Sequence, residues 1–372
     1  MVKSRWIVIV VVALVLMGMF AGCTQEATPT PTPTPTPTQL PAGPDWEALG
    51  FTADAPRPIE GVAMPKLFRI GAGSAIGDQS DLCGKWAARQ IEQGYPEMSV
   101  RVFPGSVKET PVMLANGDID LSYAAPMFDG MAYDKPYADL TEPATMLRHV
   151  ATNGATFYFV FVAEDSPIQS IADLKDKNIG VRPATSVSNK LAKLTLGAYG
   201  ITFDSITANG GLVFVGSGTE IATKIIEGTL DAGMYIQPAP DASALMIQEA
   251  KGIRLLPLTE EAIQAALDVY PMEIGDIPAG TYKGQTDDYT TIAVPSAWAT
   301  TIDVPDDVLY NCLAWMFRDG GESYQALLPG LKSWKVIDDC AFGAQTPFHP
   351  GAAKYFRAWG VEIPDDEVKG RD

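Results

Sequence analysis

Short apolar runs alternate with longer amphipathic segments along the chain from Lys66 onward. Apolar runs that end at glycine, proline or polar turns predict strands, and the segments between them predict helices. The first series predicts strands at 67–70, 99–103 and 121–125. It also predicts a helix at about 78–93 and a short helix that follows the turn at 104–106 and ends at 116. Strands that alternate with helices favour a parallel sheet whose faces are covered by the helices.

A second series of the same kind begins near Asp173. Its predicted strands are 178–181, 212–215 and 231–236, and its predicted helices are 190–199 and 219–227. An extended run at 157–162 lies between the two series, and a similar run at 289–294 follows the second. Further helices are predicted at 306–318 and 352–359. The sequence therefore predicts an α/β clamshell of two doubly wound lobes joined by extended hinge strands. Lobe I comprises residues 62–160 plus 288–372, and lobe II comprises residues 161–287.

The N-terminus has the pattern of an export signal. An apolar run, Trp6–Phe20, follows Lys3 and Arg5 and ends at Phe20-Ala21-Gly22-Cys23. This pattern predicts a lipoprotein signal peptide over residues 1–22 with Cys23 as the lipid-attachment site. Phe20 departs from the leucine that is usual there in bacterial lipoproteins. The run is shorter than the ~20 residues of a spanning helix, and a retained signal anchor is the alternative.

Residues 23–45 are predicted to be a tether. Thr and Pro alternate strictly from Thr28 to Thr38, and proline at every second position prevents helix and sheet formation. At ~3.1 Å per residue, the stretch from Thr24 to Ala42 spans roughly 60 Å. The working part of the chain is therefore expected on the outer face of the cytoplasmic membrane, held there by the lipid.

Composition restricts the function classes. The chain carries a net charge of −18, which becomes −20 when Lys3 and Arg5 are removed with the signal (−18 − 2). A surface this acidic repels nucleic acid and anionic headgroups, so no nucleic-acid partner is expected. The two histidines, His149 and His349, are too few for a histidine-rich metal site or an evident Ser-His triad. No catalytic residue, cofactor or metal is expected.

The cysteines suggest one disulfide. Besides Cys23 the chain has Cys83, Cys312 and Cys340, and three thiols permit three single pairings. In an oxidising compartment the pair Cys312–Cys340 is favoured because the two are near in sequence. Cys83, in a predicted helix, is expected to be a small buried apolar residue.

Three polar or glycine-rich turns indicate where a ligand would bind. They follow predicted strands at Gly71–Gly77, Gly105-Ser106 and Ala184–Asn189. Ligands of open α/β sheets bind beyond the carboxyl ends of the strands, where helices begin. Helix N-terminal amides favour a carboxylate or phosphate, so the turns predict a site for one small anion.

From Lys66 to Gly360 the chain resembles the TAXI branch of the solute-binding proteins of TRAP transporters. The resemblance rests on the order of several weak motifs, namely Gly105-Ser106-Val107, Leu114–Asp120, Asp173–Lys177, Ile226–Ala232, Ile277–Gln285 and His349–Tyr355. It implies a periplasmic-binding-protein type II clamshell that delivers a small organic acid, such as a dicarboxylate or an acidic amino acid, to membrane permease subunits driven by an ion gradient.

This chain departs from the family pattern where ligand specificity is expected. Paired tyrosines usual after the first turn are replaced by Gln79 and Ser80, and both glycines of the second-lobe turn are absent from Ala184–Ser188. Arg182 stands where the family tends to have a small residue. These changes make the family's usual amino-acid ligand uncertain for this chain.

The candidate ligand-binding residues come from these turns and from the end of a second-lobe strand. They are Gly73, Ser74, Gln79, Ser106, Arg182, Thr185, Ser186, Ser188, Asn189, Tyr235 and Gln237. Each has a structural alternative. Arg182 could pair with a ligand carboxylate or with an acidic surface neighbour, and Ser74 and Ser106 could be plain helix N-caps. Ordinary packing could equally explain Tyr235.

Three other functions remain open at the level of sequence. The same clamshell serves as the binding protein of ATP-driven importers for sulfonates or other oxyanions. A ligand-sensing receptor would have the same sequence features as a transport receptor. An enzyme with Cys83 as nucleophile is disfavoured because no histidine falls in a predicted cleft loop to activate it.

Overall fold

A computed structural model describes residues 44–72, 79–184, 186–332 and 334–370. The signal peptide, Cys23, nearly all of the tether, Gly73, Ser74 and Thr185 lie outside the described residues. The residues from Asp45 onward form one compact unit. Within the described part, no helix is both long and apolar enough to cross a membrane.

The described strands form one mixed sheet of ten strands. Their bounds are β1 Leu67–Gly71, β2 Ser99–Phe103, β3 Leu121–Ala124, β4 Leu147–Ala163, β5 Ile179–Val181, β6 Val213–Val215, β7 Ala232–Gln237, β8 Ile253–Leu255, β9 Glu273–Ile277 and β10 Tyr289–Thr301. The order is β2-β1-β3-β10-β4-β7-β5-β6, with β8 on β4 and β9 on β10.

Helices cover the sheet. Their bounds are α1 Gln79–Gly94, α2 Thr110–Ala115, α3 Pro126–Asp134, α4 Val187–Ala198, α5 Phe203–Ala208, α6 Gly218–Ile226, α7 Ala242–Lys251, α8 Glu260–Leu267, α9 Asp306–Met316, α10 Glu322–Gln325 and α11 Pro350–Ala358. Side-chain caps at Ser186, Ser217, Asp241 and Thr259 fix the starts of α4, α6, α7 and α8, as short polar residues do at helix N-termini.

The two long antiparallel strands β4 and β10 join the two strand series. The strands β1, β2 and β3 are mutually parallel, as are β5, β6 and β7. β3 pairs with β10, β10 with β4, and β4 with β7, each time antiparallel. The α/β class and the linking role of the two extended segments are thus confirmed. The exact limits of the two lobes stay a prediction.

The core follows the same division. One apolar cluster packs α1, α9 and α11 against β1, β3 and the start of β4, with Trp86, Trp298 and Phe317 among its members. Two further clusters fill the region around β5 and β7, one of them built around Leu191 and Leu196 of α4 and the other around Phe159 and Phe161.

The predicted disulfide between Cys312 and Cys340 is absent. Both are free and fully buried, and Cys83 is fully buried as well. All three thiols belong to the first apolar cluster, where they pack as small apolar groups. Cys312 lies within α9, whereas Cys340 lies in a turn whose carbonyl accepts hydrogen bonds from the Thr152 amide and contacts the His149 ring. The two cysteines are near in sequence, but their thiols do not form a disulfide.

Candidate functional site

The carboxyl ends of the two strand series face each other across β4. β3 ends at Ala124, which lies opposite Ala297 of β10, and Ala297 lies opposite Thr152 of β4. β7 runs the other way and ends at Gln237, opposite Phe157 of β4. At about 3.3 Å per residue, these two positions on β4 are roughly 17 Å apart. We call residues 153–156 of β4 the cleft floor, since the strand ends that bind ligands in such sheets meet above them.

Arg182 supplies a positive charge on the lobe II side. It follows β5 directly and is half-buried. Within the described ranges its guanidinium makes no hydrogen bond and no ion pair. Nearby carboxylates are bound elsewhere: Glu220 accepts from the Ser217 backbone amide at 2.7 Å, and Asp241 accepts from Tyr235 and Ala244.

The electrostatics confirm that Arg182 is close to these carboxylates. Burial raises the pKa of Asp241, and the nearby charge of Arg182 opposes that rise. Hydrogen bonds from Ser217 lower the pKa of Glu220, and Arg182 contributes to the lowering. The surface salt bridge that was the alternative for Arg182 is not formed among the described residues.

The turn after Arg182 is held by its own hydroxyl and amide groups. Ser186 Oγ accepts from the Asn189 amide at 3.2 Å and donates to the Pro183 carbonyl at 2.7 Å. Ser188 Oγ accepts from the Ile236 amide of β7 at 3.1 Å. Asn189 Nδ2 donates to the Arg182 carbonyl at 2.7 Å, and its buried Oδ1 has no partner in the described structure. This network fixes the backbone that carries Arg182.

Tyr235 and Gln237 differ in accessibility. Tyr235 is fully buried against Phe159 and Phe161, and its hydroxyl donates to Asp241 at 3.0 Å. Gln237 is the partly exposed last residue of β7. The structure therefore favours the packing role for Tyr235 and keeps Gln237 at the strand end beside the cleft floor.

On the lobe I side, Gln79 lies beside the cleft floor. Its Nε2 donates to the Tyr123 hydroxyl at 3.0 Å, and Tyr123 shares a 2.7 Å hydrogen bond with the Tyr324 hydroxyl. A Cβ built on Gly154 would lie 3.9 Å from Gln79 Nε2. Ser106 is placed in the turn before α2, where its amide donates to the Glu109 carboxylate at 3.2 Å.

A segment that the sequence did not indicate lies over the cleft floor. It is the 3₁₀ turn Pro329–Leu331. A Cβ on Gly154 would lie 3.2 Å from Leu331 Cδ2, and a Cβ on Gly330 would lie 2.6 Å from Pro238 Cβ, just past β7. The turn therefore bridges the cleft floor and the end of β7.

Asn153 and Asp129 are the other polar residues that sequence reasoning missed near this region. Both are buried, at 0% and 3% exposure, and each has side-chain atoms without a hydrogen-bond partner among the described residues. Asn153 lies in the cleft floor itself, and Asp129 lies in the first turn of α3, directly after β3. No local sequence pattern distinguishes either residue.

Comparison with known proteins supports the fold. A family model described as the NMT1-like family matches residues 81–360. A TctC solute binding protein from Polaromonas, 15% identical, has a TM-score of 0.51 over 79% of this chain and 98% of that chain. The periplasmic aliphatic sulphonate binding protein SsuA from Escherichia coli, 19% identical, gives 0.41 over 79% of each chain. PhnD1 from Prochlorococcus marinus, solved with methylphosphonate, is 14% identical and gives 0.45 over 73% of this chain and 92% of that chain.

Proposed function

We propose that this chain, which belongs to the NMT1-like family, is a lipid-anchored extracytoplasmic receptor that binds a small organic acid between its two lobes. The receptor delivers the acid to a TRAP-type permease that is driven by an ion gradient. The fold shared with a solute binding protein supports the binding role. The motif resemblance to the TAXI branch supports the choice of transporter.

The observation that carries the proposal is the guanidinium of Arg182, which has no hydrogen bond or ion pair among the described residues. A half-buried guanidinium whose donors have no acceptor is unfavourable because it loses hydration without compensation. An anionic ligand would supply the compensation, and guanidinium binds a carboxylate through two parallel hydrogen bonds. Sulfonates and phosphonates present similar oxygens, so the charge alone does not distinguish these acids.

A thermal-shift screen followed by calorimetry tests the binding role. The panel contains dicarboxylates, acidic amino acids, sulfonates and phosphonates. A ligand present at 100-fold excess over its Kd stabilises the protein by about 2.7 kcal/mol. Binding of carboxylates in preference to the other acids supports the proposal, whereas binding of sulfonates alone supports the oxyanion receptor of an ATP-driven importer. Binding of no acid contradicts both.

The role of Arg182 is tested in the same assay with Arg182→Gln. Loss of one partner of a buried charge pair costs about 2–4 kcal/mol, so affinity should fall by roughly 30- to 1,000-fold. Lys193→Gln is the matched control, because Lys193 is an exposed cation on α4 of the same lobe. It should change affinity by less than about twofold at physiological salt. Equal effects of the two substitutions would remove Arg182 from the site.

Delivery to a TRAP permease is tested by reconstitution. The receptor and a candidate permease encoded beside it are placed in the same assay, with the permease in vesicles that carry a sodium gradient and contain no ATP. Uptake of the bound acid that requires both proteins and the gradient supports the proposal. Uptake that requires ATP and a separate ATPase subunit contradicts it.

The anchor is tested by Cys23→Ala in cells. The wild-type protein should fractionate with membranes and incorporate labelled fatty acid. The variant should lose the label. A wild-type protein that carries no label would favour the retained signal anchor instead.

A further inference from the structure

Asn153 interrupts the pairing of the two long strands. Along β4 and β10, Thr152 lies opposite Ala297 and Gly154 lies opposite Ser296, so Asn153 has no opposite residue. It is the extra residue of a β-bulge. Bulges re-aim a side chain away from the regular alternation and are frequent beside functional sites.

The side chain of Asn153 is buried without compensation. It is 0% exposed, and neither Oδ1 nor Nδ2 has a hydrogen-bond partner within the described ranges. A buried amide left unpaired at both atoms destabilises a fold, and an apolar residue of similar size would not. The chain nevertheless has asparagine here, as the first residue of the cleft floor that the strand ends of both lobes face.

The surroundings of Asn153 are closely packed on the side that Gly154 faces. The next residue, Gly154, has no side chain, and a Cβ there would lie 3.2 Å from Leu331 Cδ2 and 3.9 Å from Gln79 Nε2. The side chains of Leu331 and Gln79 therefore lie next to the cleft floor, on the side that a Cβ at Gly154 would face. A ligand reaches the buried amide only when neighbouring groups move.

We propose that Asn153 is a ligand-binding residue of the cleft and that it recognises a neutral or cationic polar group of the bound acid. Its Oδ1 accepts from a hydroxyl or amino donor of the ligand, and its Nδ2 donates to an adjacent oxygen. The ligand class is therefore an acid that carries a hydroxyl or amino group, rather than an unsubstituted acid. This inference rests on the proposed solute-binding function and adds to Arg182, which takes the anionic end.

The test is calorimetry with three five-carbon probes that differ only at Cα: glutarate, 2-hydroxyglutarate and glutamate. Because the acid that the protein binds is unidentified, the corresponding two-carbon and four-carbon acids, unsubstituted and with a hydroxyl or amino group at Cα, are measured in parallel. Wild-type protein should prefer a substituted member of its series over the unsubstituted acid by at least about tenfold. Asn153→Leu should abolish this preference while leaving the affinity for the unsubstituted acid within about threefold.

The matched control is Asn311→Leu. Asn311 is also a buried amide, but its Oδ1 accepts from the Ile59 amide at 2.7 Å and its Nδ2 donates to the Ile59 carbonyl at 3.0 Å. Asn311→Leu should lower the melting temperature and keep the ligand preference. Asn153→Leu should keep or raise the melting temperature, because it removes an unpaired amide. Asn153→Ala, which removes both the acceptor and the donor without adding bulk, serves if the leucine variant does not fold, and it should also lose the preference.

The outcomes separate the two proposals. If the wild-type protein binds no acid of any series and none of the sulfonates, the proposed function fails and this assignment fails with it. If the wild-type protein binds an acid but Asn153→Leu and Asn153→Ala show the same preference as the wild-type protein, only the assignment fails. A lower melting temperature with unchanged preference would assign Asn153 a purely structural role.

Discussion

The Tyr235 hydroxyl donates a 3.0 Å hydrogen bond to Oδ1 of Asp241 in the interior of lobe II. The same oxygen accepts from the Ala244 amide at 2.9 Å as the N-cap of α7, and the Asp241 amide donates to the Tyr282 hydroxyl at 3.0 Å. These bonds fix the start of α7 directly after β7. The hydroxyl of Tyr235 is thereby engaged in the fold and is not presented to the cleft.

Tyr235→Phe should therefore lower stability and spare binding. Removing the hydroxyl leaves a buried Asp241 oxygen short of one donor, so the free energy of unfolding should fall by about 1–3 kcal/mol. Ligand affinity should change by less than about twofold. Urea unfolding and calorimetry measure the two quantities. Tyr133→Phe on α3, whose partly buried hydroxyl has no partner in the described structure, should change neither. A loss of affinity at unchanged stability would return Tyr235 to the ligand site.

Asp129 should make the protein less stable as pH rises from about 4 to about 8. Burial raises the pKa of the Asp129 carboxyl to about 8 in the folded protein, whereas the unfolded chain ionises near pH 3.9. The folded state therefore binds one more proton between these values, and the free energy of unfolding falls by about 1.4 kcal/mol per pH unit across that window.

His149 has the opposite effect at lower pH, so the measurement is best made between pH 6.5 and 8. Burial lowers the pKa of His149 to about 4, against a smaller opposing effect of its hydrogen bond to the Cys340 carbonyl. Its contribution is lost as pH falls from about 6.5 to 4. Asp129→Asn should remove most of the slope that remains above pH 6.5, and Asp134→Asn, at the exposed end of α3, should not. Urea unfolding that shows equal slopes for the two variants would contradict this prediction.

The three buried thiols should be inert in the folded protein. Burial raises the pKa of Cys312 and of Cys340 to about 12, and the thiolate is the reactive form. Iodoacetamide at pH 8 should label Cys83, Cys312 and Cys340 only after unfolding in guanidinium, as peptide mass spectrometry can show. A reductant should leave the melting temperature unchanged. A cross-linked Cys312–Cys340 peptide, and a loss of about 3 kcal/mol on reduction, would reinstate the bond that the sequence predicted.

The sequence predicted the parallel strands well because their limits are local. The predicted ends of β1, β2, β3, β5, β6 and β7 all lie within one residue of the observed ends. Each of these strands is a short apolar run that stops at a turn-forming residue. A helix covers each run in the fold, so the local pattern and the tertiary environment agree.

The long strand β4 was only partly predicted, because its first half is polar and yet buried. The prediction covered 157–162, whereas the strand begins at Leu147. Arg148 and His149 are buried there because backbone carbonyls accept their hydrogen bonds, among them those of Lys369 and Cys340. Such partners lie far along the chain and leave no mark on the local pattern.

The candidate site was also predicted only in part, because some of its residues are placed by contacts between segments that lie far apart in the sequence. Arg182 and the turn 184–189 could be chosen as candidates from the sequence because they follow a recognisable strand, and their role in binding stays a prediction. Asn153 was not found, since its bulge depends on the register between β4 and β10, which are far apart in sequence. The turn at Pro329–Leu331 reaches the cleft floor through the tertiary fold alone.

Gly330→Ala should loosen the cover of the cleft floor. A Cβ at residue 330 would lie 2.6 Å from Pro238 Cβ, which is closer than packed carbon atoms approach, so the turn or the end of β7 must shift. Leu331 follows directly and borders Gly154, so the shift should speed ligand dissociation, by about tenfold or more. The overpacking itself should cost about 1–3 kcal/mol of stability.

Gly197→Ala on α4, where an added Cβ meets nothing within 4 Å, is the control. It should stabilise the protein by up to about 1 kcal/mol and leave the rate of ligand dissociation unchanged. Stopped-flow dissociation measures the effect, and equal rates for both variants and the wild-type protein would show that Pro329–Leu331 does not retain the ligand.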